Sequence, residues 1–548
     1  MVSINIAIDQ LFSIRNRYGK EMAMGKLQLL QRINVKKIHS KKNAQTLYAA
    51  LLFLQAYPDN KALYKQTEDL LMALQKHILE KESLQYNLYN SGITGTTICA
   101  AFSFEMVKWL RKTKPANIKL NSFEADDKQI QSILSVVIPK IESEIFQDGN
   151  AAWKSWLKQL KNPEEGLLDQ LIAIFDSTDI RPEVKDELWN ALGINVEISF
   201  TTHCCLPETF TKIFYHRSLL RKDFKTAPVQ RPVLVKLNDA EAEQLIDCSR
   251  MILVRHLREI DPISFTAAKL ISYYQLPRGL SIVLMGMQPE RRHPVDSYMG
   301  YMVFKNGLPV AYAGSWIFFD SARIGLNVFP DYRGGETRYI FDQVLQLHAR
   351  IYQVKRFTVD PYQIGKDNSD GIHSGAFWVY YHTGFRPMKK QQQELALVEA
   401  LKIIAGNKYR TAAGTLKILA ESRMELLLQK RSVHFDATDI SRLYAAILSR
   451  KYQGNRTIAE MKSAKKLAVK LQIKNYQESN MSFILKNWAL LLLQNEKEIQ
   501  LNLRLKKLLK KLFNLKAAGS EVEYISLLQQ APELRNLIED LCNVYEIA

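Results

Sequence analysis

"FPDYRGGETRYIF" (329–341) is the stretch on which the reading of this chain depends. An apolar run, "RIGLNVF" (323–329), enters it, and a helix-like pattern leaves it. A strand that runs through a short loop into a helix leaves backbone N–H groups without acceptors at the helix start. With the helix dipole, those donors favour a pyrophosphate. Gly334 and Gly335 let a ligand approach the backbone, and Arg333 offers charge-assisted hydrogen bonds. The plainer reading is a tight turn between two elements.

The surroundings are strand-rich. "VLVKL" (233–237), "LSIVLMGM" (280–287), "SYMGYMVFK" (297–305), "LPVAYAGSWIFF" (308–319) and "RIGLNVF" read as strands, with "KNGLP" (305–309) as a turn between two of them. Between the first and second, "AEAEQLIDCSRMILVRHLREI" and "SFTAAKLISYYQL" read as helical. A helix is expected over 336–353, then a strand in "KRFTVDPYQ" (355–363), then a loop rich in Gly, Asn and Ser that leads into "GAFWVYYHTGF".

Outside this middle section the pattern is helical. "AQTLYAALLFLQAY" and "TEDLLMALQKHILEK" repeat apolar residues at three and four. "LLDQLIAIFDSTDIRPEVKDELWNALGI" reads as two helices, the second entered through Arg-Pro. "YNSGITGTTICAAFSFEMVKWL" (89–110) reads as a loop punctuated by Gly92 and Gly95 before a helix. "RKDFKTAPVQRP" (221–232) is basic, holds two prolines and reads as a linker. Beyond 390, "QELALVEALKIIAG" and "AAGTLKILAESRMELLLQK" are amphipathic. "IQLNLRLKKLLKKLFNLK" (499–516) places Leu501, Leu505, Leu508, Leu509 and Leu512 on one side of a basic helix. Such a helix either packs with a solvated lysine face or touches an anionic membrane or nucleic acid. The expected organisation is therefore a helical region 1–220, a linker 221–232, a mixed domain 233–390 and a helical region 391–548.

At 548 residues the chain exceeds one ordinary hydrophobic core. Its net charge of +19 suits an anionic partner or lysine-rich helix surfaces. Five cysteines without a CxxC pair indicate neither a zinc framework nor a disulfide scaffold, and "HCC" (203–205) lacks a second ligand cluster. No metal is expected. "MVSINIAIDQLF" has no basic leader, and "MSFILKNWALLLLQ" (481–494) is too short and polar to span a bilayer, so a cytoplasmic location is expected.

With "VFPDYRGGE" after a strand, "RFTVDPYQ" as the next strand and "SGAFWVYYHTGFRP" as a helix ending in Gly-Phe, residues 233–390 resemble the GCN5-related N-acetyltransferase superfamily. These are acyl-CoA-dependent acyltransferases. The resemblance implies an α+β fold with a mixed, mostly antiparallel sheet and helices on both faces, here flanked by all-helical regions. It implies acetyl-CoA or another acyl-CoA as donor and an amine as acceptor. The cofactor would contact Val328, Phe329, Arg333, Gly334, Gly335, Thr337, Arg338 and Ser374. Tyr380, five residues before Phe385, takes the place of the tyrosine that protonates the departing thiolate. Counted from Arg333, the family's later small positions fall on Glu336 and Arg338. A carboxylate in the first helical turn can occupy the donors a phosphate would use. Past Phe385 the family adds another strand or two, where this chain gives "RPMKK" and then helix.

Among the remaining polar residues, Asp360 and Glu336 are candidate bases for an attacking amine, although Asp360 before Pro361 also suits a turn. Asn368 and Ser374 are either cofactor contacts or loop caps. His382 is near Tyr380, but helix spacing turns it outward. Arg291 and Arg292 in "PERRHP" (289–294) suit an acceptor carboxylate or phosphate, or an exposed basic loop. Two functional readings stand: an N-acyltransferase, from acyl-CoA or a bulkier aminoacyl or long-chain donor, and a non-catalytic module of the same fold whose flanks bind protein or nucleic acid.

Overall fold

The computed structural model describes residues 4–113, 116–149, 152–160, 166–200, 206, 210, 212–220, 231–406, 408–429 and 436–546. Most of the expected linker, and the "HCC" segment with Cys204 and Cys205, lie outside the described residues.

The chain is α+β. Helices dominate both flanks, but the first flank is not all-helical. Strands β1 (Thr97–Ala101), β2 (Ala116–Phe123) and β3 (Ile194–Phe200) make a small antiparallel sheet in the order β1-β3-β2. β1 falls in the segment read as a loop before a helix. With five residues and only Ile98 fully buried, it has no alternation for the sequence to show. The Arg-Pro helix pair is present as Leu167–Ser177 and Pro182–Leu192, with Pro182 in the first turn, where its missing N–H costs nothing.

The central sheet holds ten strands: β4 (Val233–Val235), β5 (Ile271–Leu276), β6 (Leu280–Met285), β7 (Ser297–Lys305), β8 (Leu308–Phe318), β9 (Ser321–Ile324), β10 (Asn327–Val328), β11 (Arg356–Val359), β12 (Arg386–Pro387) and β13 (Met424–Leu427). Their order is β12-β13-β11-β9-β8-β7-β6-β5-β4, with β10 also on β8. Every pairing is antiparallel except β9 with β11. Parallel neighbours need a crossover, and the helix Thr337–Ile351 supplies it. β6 and β7 are buried at every position, which explains their unbroken apolar runs. Asn306 (φ 47°) and Gly307 (φ 80°) make the two-residue turn between β7 and β8 that an Asn-Gly pair favours.

Two expectations are corrected. "ISYYQL" continues no helix; it is β5, and its Tyr273 and Tyr274 are buried against the sheet. "MELL" (424–427) lies within a stretch whose pattern predicts an amphipathic helix. The helix stops at Leu419, and β13 returns to the sheet between β11 and β12. The sheet therefore crosses the boundary at 390.

Helices cover both faces. On one face Ser315 Oγ is 3.0 Å from Nε2 of His348, on the crossover helix. On the other, Tyr312 stacks on Phe329 and Phe329 on His256, which follows the helix Asp239–Arg255. One continuous hydrophobic cluster joins both flanks to the sheet. On the C-terminal side, Trp488 Nε1 donates to the Pro294 carbonyl (2.9 Å) and Tyr524 Oη to that of Val295 (2.7 Å). The helix Leu503–Ala518 buries Leu505, Leu509 and Leu512, so its apolar side is a packing face. Among the described residues, no helix is long and apolar enough to cross a membrane.

Candidate functional site

The two parallel strands part company. β9 and β11 pair only from Ser321 and Arg356 to Arg323 and Thr358. The chain after β9 then follows β8 as β10, while β11 ends at Val359. Gly325 and Leu326 lie at this fork. Tyr380, from the helix Ala376–Thr383, reaches it: its Oη accepts a hydrogen bond from the Leu326 N–H at 3.1 Å. Tyr301 donates from its hydroxyl to the Gly325 carbonyl. The Gln363 carboxamide lies against Gly325, where a Cβ would meet it at 2.9 Å. Phe341 and Phe385 wall Tyr380 edge-on at 5.2 and 5.8 Å. Burial pushes the Tyr380 phenol up to about 12, so it keeps its proton at neutral pH. Asp360, at the end of β11, faces Arg323 (3.4 Å) and Arg423 (3.2 Å), so it is an ion-paired carboxylate rather than an open base.

Val328 pairs with Ala311, and the Phe329 N–H donates to the Val310 carbonyl (3.0 Å), which commits that amide to the sheet. In the loop that follows, Gly334 has φ 86°, a backbone conformation glycine tolerates. The amides of Gly334, Glu336 and Thr337 have no acceptor among the described residues. That of Gly335 donates to the Tyr332 carbonyl (3.2 Å). Arg333 is held by a two-pronged pair with Asp370, at 2.9 and 2.6 Å. Arg338 donates to the His382 carbonyl (3.3 Å).

Glu336 does not compete for the loop amides. Its side chain turns inward and is fully buried, accepting from Arg278 (2.5 Å), Lys305 (2.7 Å) and the Leu220 N–H (2.8 Å). Burial alone would raise its pKa, but these partners overrule it and hold the carboxyl well below the ordinary glutamate range. Burial lowers Lys305 to about 8 against the pull of Glu336. His216 Nε2 is 3.8 Å from Glu336, and burial favours its neutral form. A carboxylate clamped by two cations is a poor proton acceptor.

The N-terminal region sits on this loop. Arg15 reaches the Arg333 carbonyl and Asn16 that of Gly334, both at 3.4 Å. The Tyr57 ring lies where a Cβ on Gly335 would fall, at 2.7 Å.

Asn368 caps the helix Ser369–Ser374, and the Ser374 hydroxyl donates to the Gly371 carbonyl at 3.3 Å. His382 is exposed. Arg291 and Arg292 grip no open site. Arg291 pairs with Asp186 of the N-terminal region, and Arg292 is buried against Glu521 and the carbonyls of Met287, Leu515 and Lys516. Sequence reasoning missed Arg278, Lys305 and Tyr57, because nothing local marks a lysine beside a turn as buried. It also missed Asp342 on the crossover helix, 1% exposed with neither oxygen bonded. Burial raises Asp342 to about 7. Among the described residues, no group of three or more His, Cys, Asp or Glu could hold a metal ion. Compared with family models, curated proteins and solved structures, the chain matches none.

Proposed function

We propose that the protein is an acyltransferase that passes an acyl group from acyl-CoA to an amine at the fork between β9 and β11. The observation that carries this reading is Tyr380. A buried phenol stands where two parallel strands separate, bonded to the Leu326 N–H, and its own proton has no acceptor among the described residues. The diphosphate of the donor would lie on the unoccupied amides of Gly334, Glu336 and Thr337. The uncharged amine attacks the thioester carbonyl. The Leu326 N–H moves from the phenol to the developing oxyanion. The carbon–sulfur bond breaks, Tyr380 gives its proton to the thiolate, and the ammonium formed from the amine returns one proton through solvent.

A second reading, a non-catalytic module, is favoured by the seating of Arg15, Asn16 and Tyr57 on the phosphate loop. Calorimetric titration of the whole chain with acetyl-CoA and CoA separates the two. Saturable binding that Arg333→Glu weakens, with turnover but not binding lost in Tyr380→Phe, supports the enzyme. Absence of binding up to about 1 mM sinks it.

A further inference from the structure

The parallel strands have a second end. Where β9 and β11 begin, opposite to the fork, a cavity of about 340 Å³ opens between the sheet and the C-terminal helices. Phe319, Asp320, Lys355 and Arg356 line it from the sheet side, and Gln529 and the start of the helix Pro532–Val544 from the other. Its volume falls within the range of small-ligand sites.

The charges around this cavity are not all available. Arg535 is spent twice, on Asp320 (2.8 Å) and Glu539 (2.9 Å). Arg356 gives its Nε to Glu425 (3.2 Å), which leaves both terminal nitrogens without a partner among the described residues. Lys355 is exposed at the rim, and its Nζ has none either. Both residues are fixed at the backbone, since their N–H groups share the Asp320 carbonyl at 2.8 and 3.1 Å. Opposite them, the helix Pro532–Val544 starts at Ala531 without a side-chain cap. The amides of Glu533 and Leu534 have no acceptor among the described residues. Glu533, which could have neutralised that helix start, faces Arg504 at 3.7 Å. Every carboxylate in or behind the cavity, Asp320, Glu425 and Glu539, is already engaged by an arginine. What is left over is a lysine, a forked guanidinium and an uncapped helix start. All are donors.

We propose that this cavity binds a small phosphate monoester. Its phosphoryl oxygens would sit between Arg356, Lys355 and the helix start, a combination that suits a dianion in both charge and fork geometry. The cavity exceeds a bare phosphate, so the ester's organic part contributes contacts, with Phe319, Gln429 and Asn536 at hand. Such a ligand would tie the last helix to the first residues of β9 and β11. The proposal is independent of acyl transfer at the fork.

The test is calorimetry on the full chain with inorganic phosphate and with glycerol phosphate as probes. Glycerol phosphate is expected to saturate, to bind more tightly than inorganic phosphate, and to weaken by roughly tenfold or more in Lys355→Glu and in Asn536→Asp. Both substitutions lie at exposed positions, so folding is not at stake. Arg333→Glu, at the other helix start, is expected to leave this binding unchanged. Failure of either probe to saturate overturns the proposal. So does binding lost in Arg333→Glu but kept in Lys355→Glu, which would assign the phosphate to the other loop. Inorganic phosphate binding as tightly as the ester overturns the monoester assignment.

Discussion

Each flank of this protein meets the central sheet through a buried lysine, glutamate and arginine, and the two clusters are built differently. On the N-terminal side, Glu336, Lys305 and Arg278 all come from the central section, and the flank adds the Leu220 N–H, the Ser218 carbonyl that accepts from Arg278 (2.8 Å) and the neighbouring His216. On the C-terminal side, Lys516 and Glu521 belong to the flank, while Arg292 comes from the connection between β6 and β7. Lys516 also donates to the Asp296 carbonyl (2.7 Å) and to Ser297 Oγ (3.3 Å). The first cluster is a self-contained unit that the flank covers. The second is shared across the junction: parted, the flank keeps the Lys516–Glu521 pair, and the central section is left with Arg292 uncompensated. The central section therefore depends on its C-terminal flank more than on its N-terminal one.

The comparison breaks most easily at the lysines. Lys516→Met leaves Glu521 with Arg292 alone, at 3.4 Å, and is expected to cost ~3–5 kcal/mol by denaturant unfolding, as for a broken buried pair. Lys305→Met leaves Glu336 still bonded to Arg278 and the Leu220 N–H, so a smaller loss of ~1–3 kcal/mol is expected. Equal losses would show that the clusters do not differ as described.

Acidity sharpens the comparison. The Glu336 pKa is depressed in the folded chain, so its stabilisation is present above the ordinary glutamate value of 4.5 and is lost as pH falls through and below it. Glu336→Gln is expected to flatten that acid slope. Asp342, six residues along the same helix, runs the other way. Its folded pKa of about 7 lies above the ordinary 3.8, so stability falls as pH rises between those values. Asp342→Asn is expected to gain roughly 1–4 kcal/mol at pH 8 and nothing at pH 3, read from unfolding midpoints. A variant no more stable than the parent at pH 8 would mean that Asp342 finds a partner in solution.

Gly335→Ala probes the cover over the first cluster. Gly335 has no positive φ, so the expected ~1–3 kcal/mol loss comes only from the Tyr57 ring. Tyr57→Ala should relieve it in the double variant. The smallest effect is expected at Arg333→Ala, below ~1 kcal/mol, because its pair with Asp370 is exposed and screened by water.

Much of the central sheet was legible. Long apolar runs bounded by turn residues gave β6, β7 and β8 within a residue or two, and Asn306-Gly307 located their hairpin. Short strands were not legible. β13 has four residues and one alternation, which an adjoining amphipathic helix conceals. β5 follows a helix-like stretch and was absorbed into it. At the site, the loop glycines and Tyr380 could be singled out because turn chemistry and spacing are local. The inward turn of Glu336 depends on partners 31 to 116 positions away, and the arrival of Arg15 and Tyr57 on contacts across some 280 to 320 positions, which no local pattern encodes.

The insertion of β13 has a consequence for how the chain is made. Synthesis delivers β11 with one long side unpaired, and the strand that closes it is not translated until residues 424–427. Until then the growing sheet carries an open hydrogen-bonding edge, the feature that recruits neighbouring chains into aggregates. A fragment ended near 390 would keep that edge permanently, and its tendency to self-associate would reflect the missing strand rather than any property of the fork.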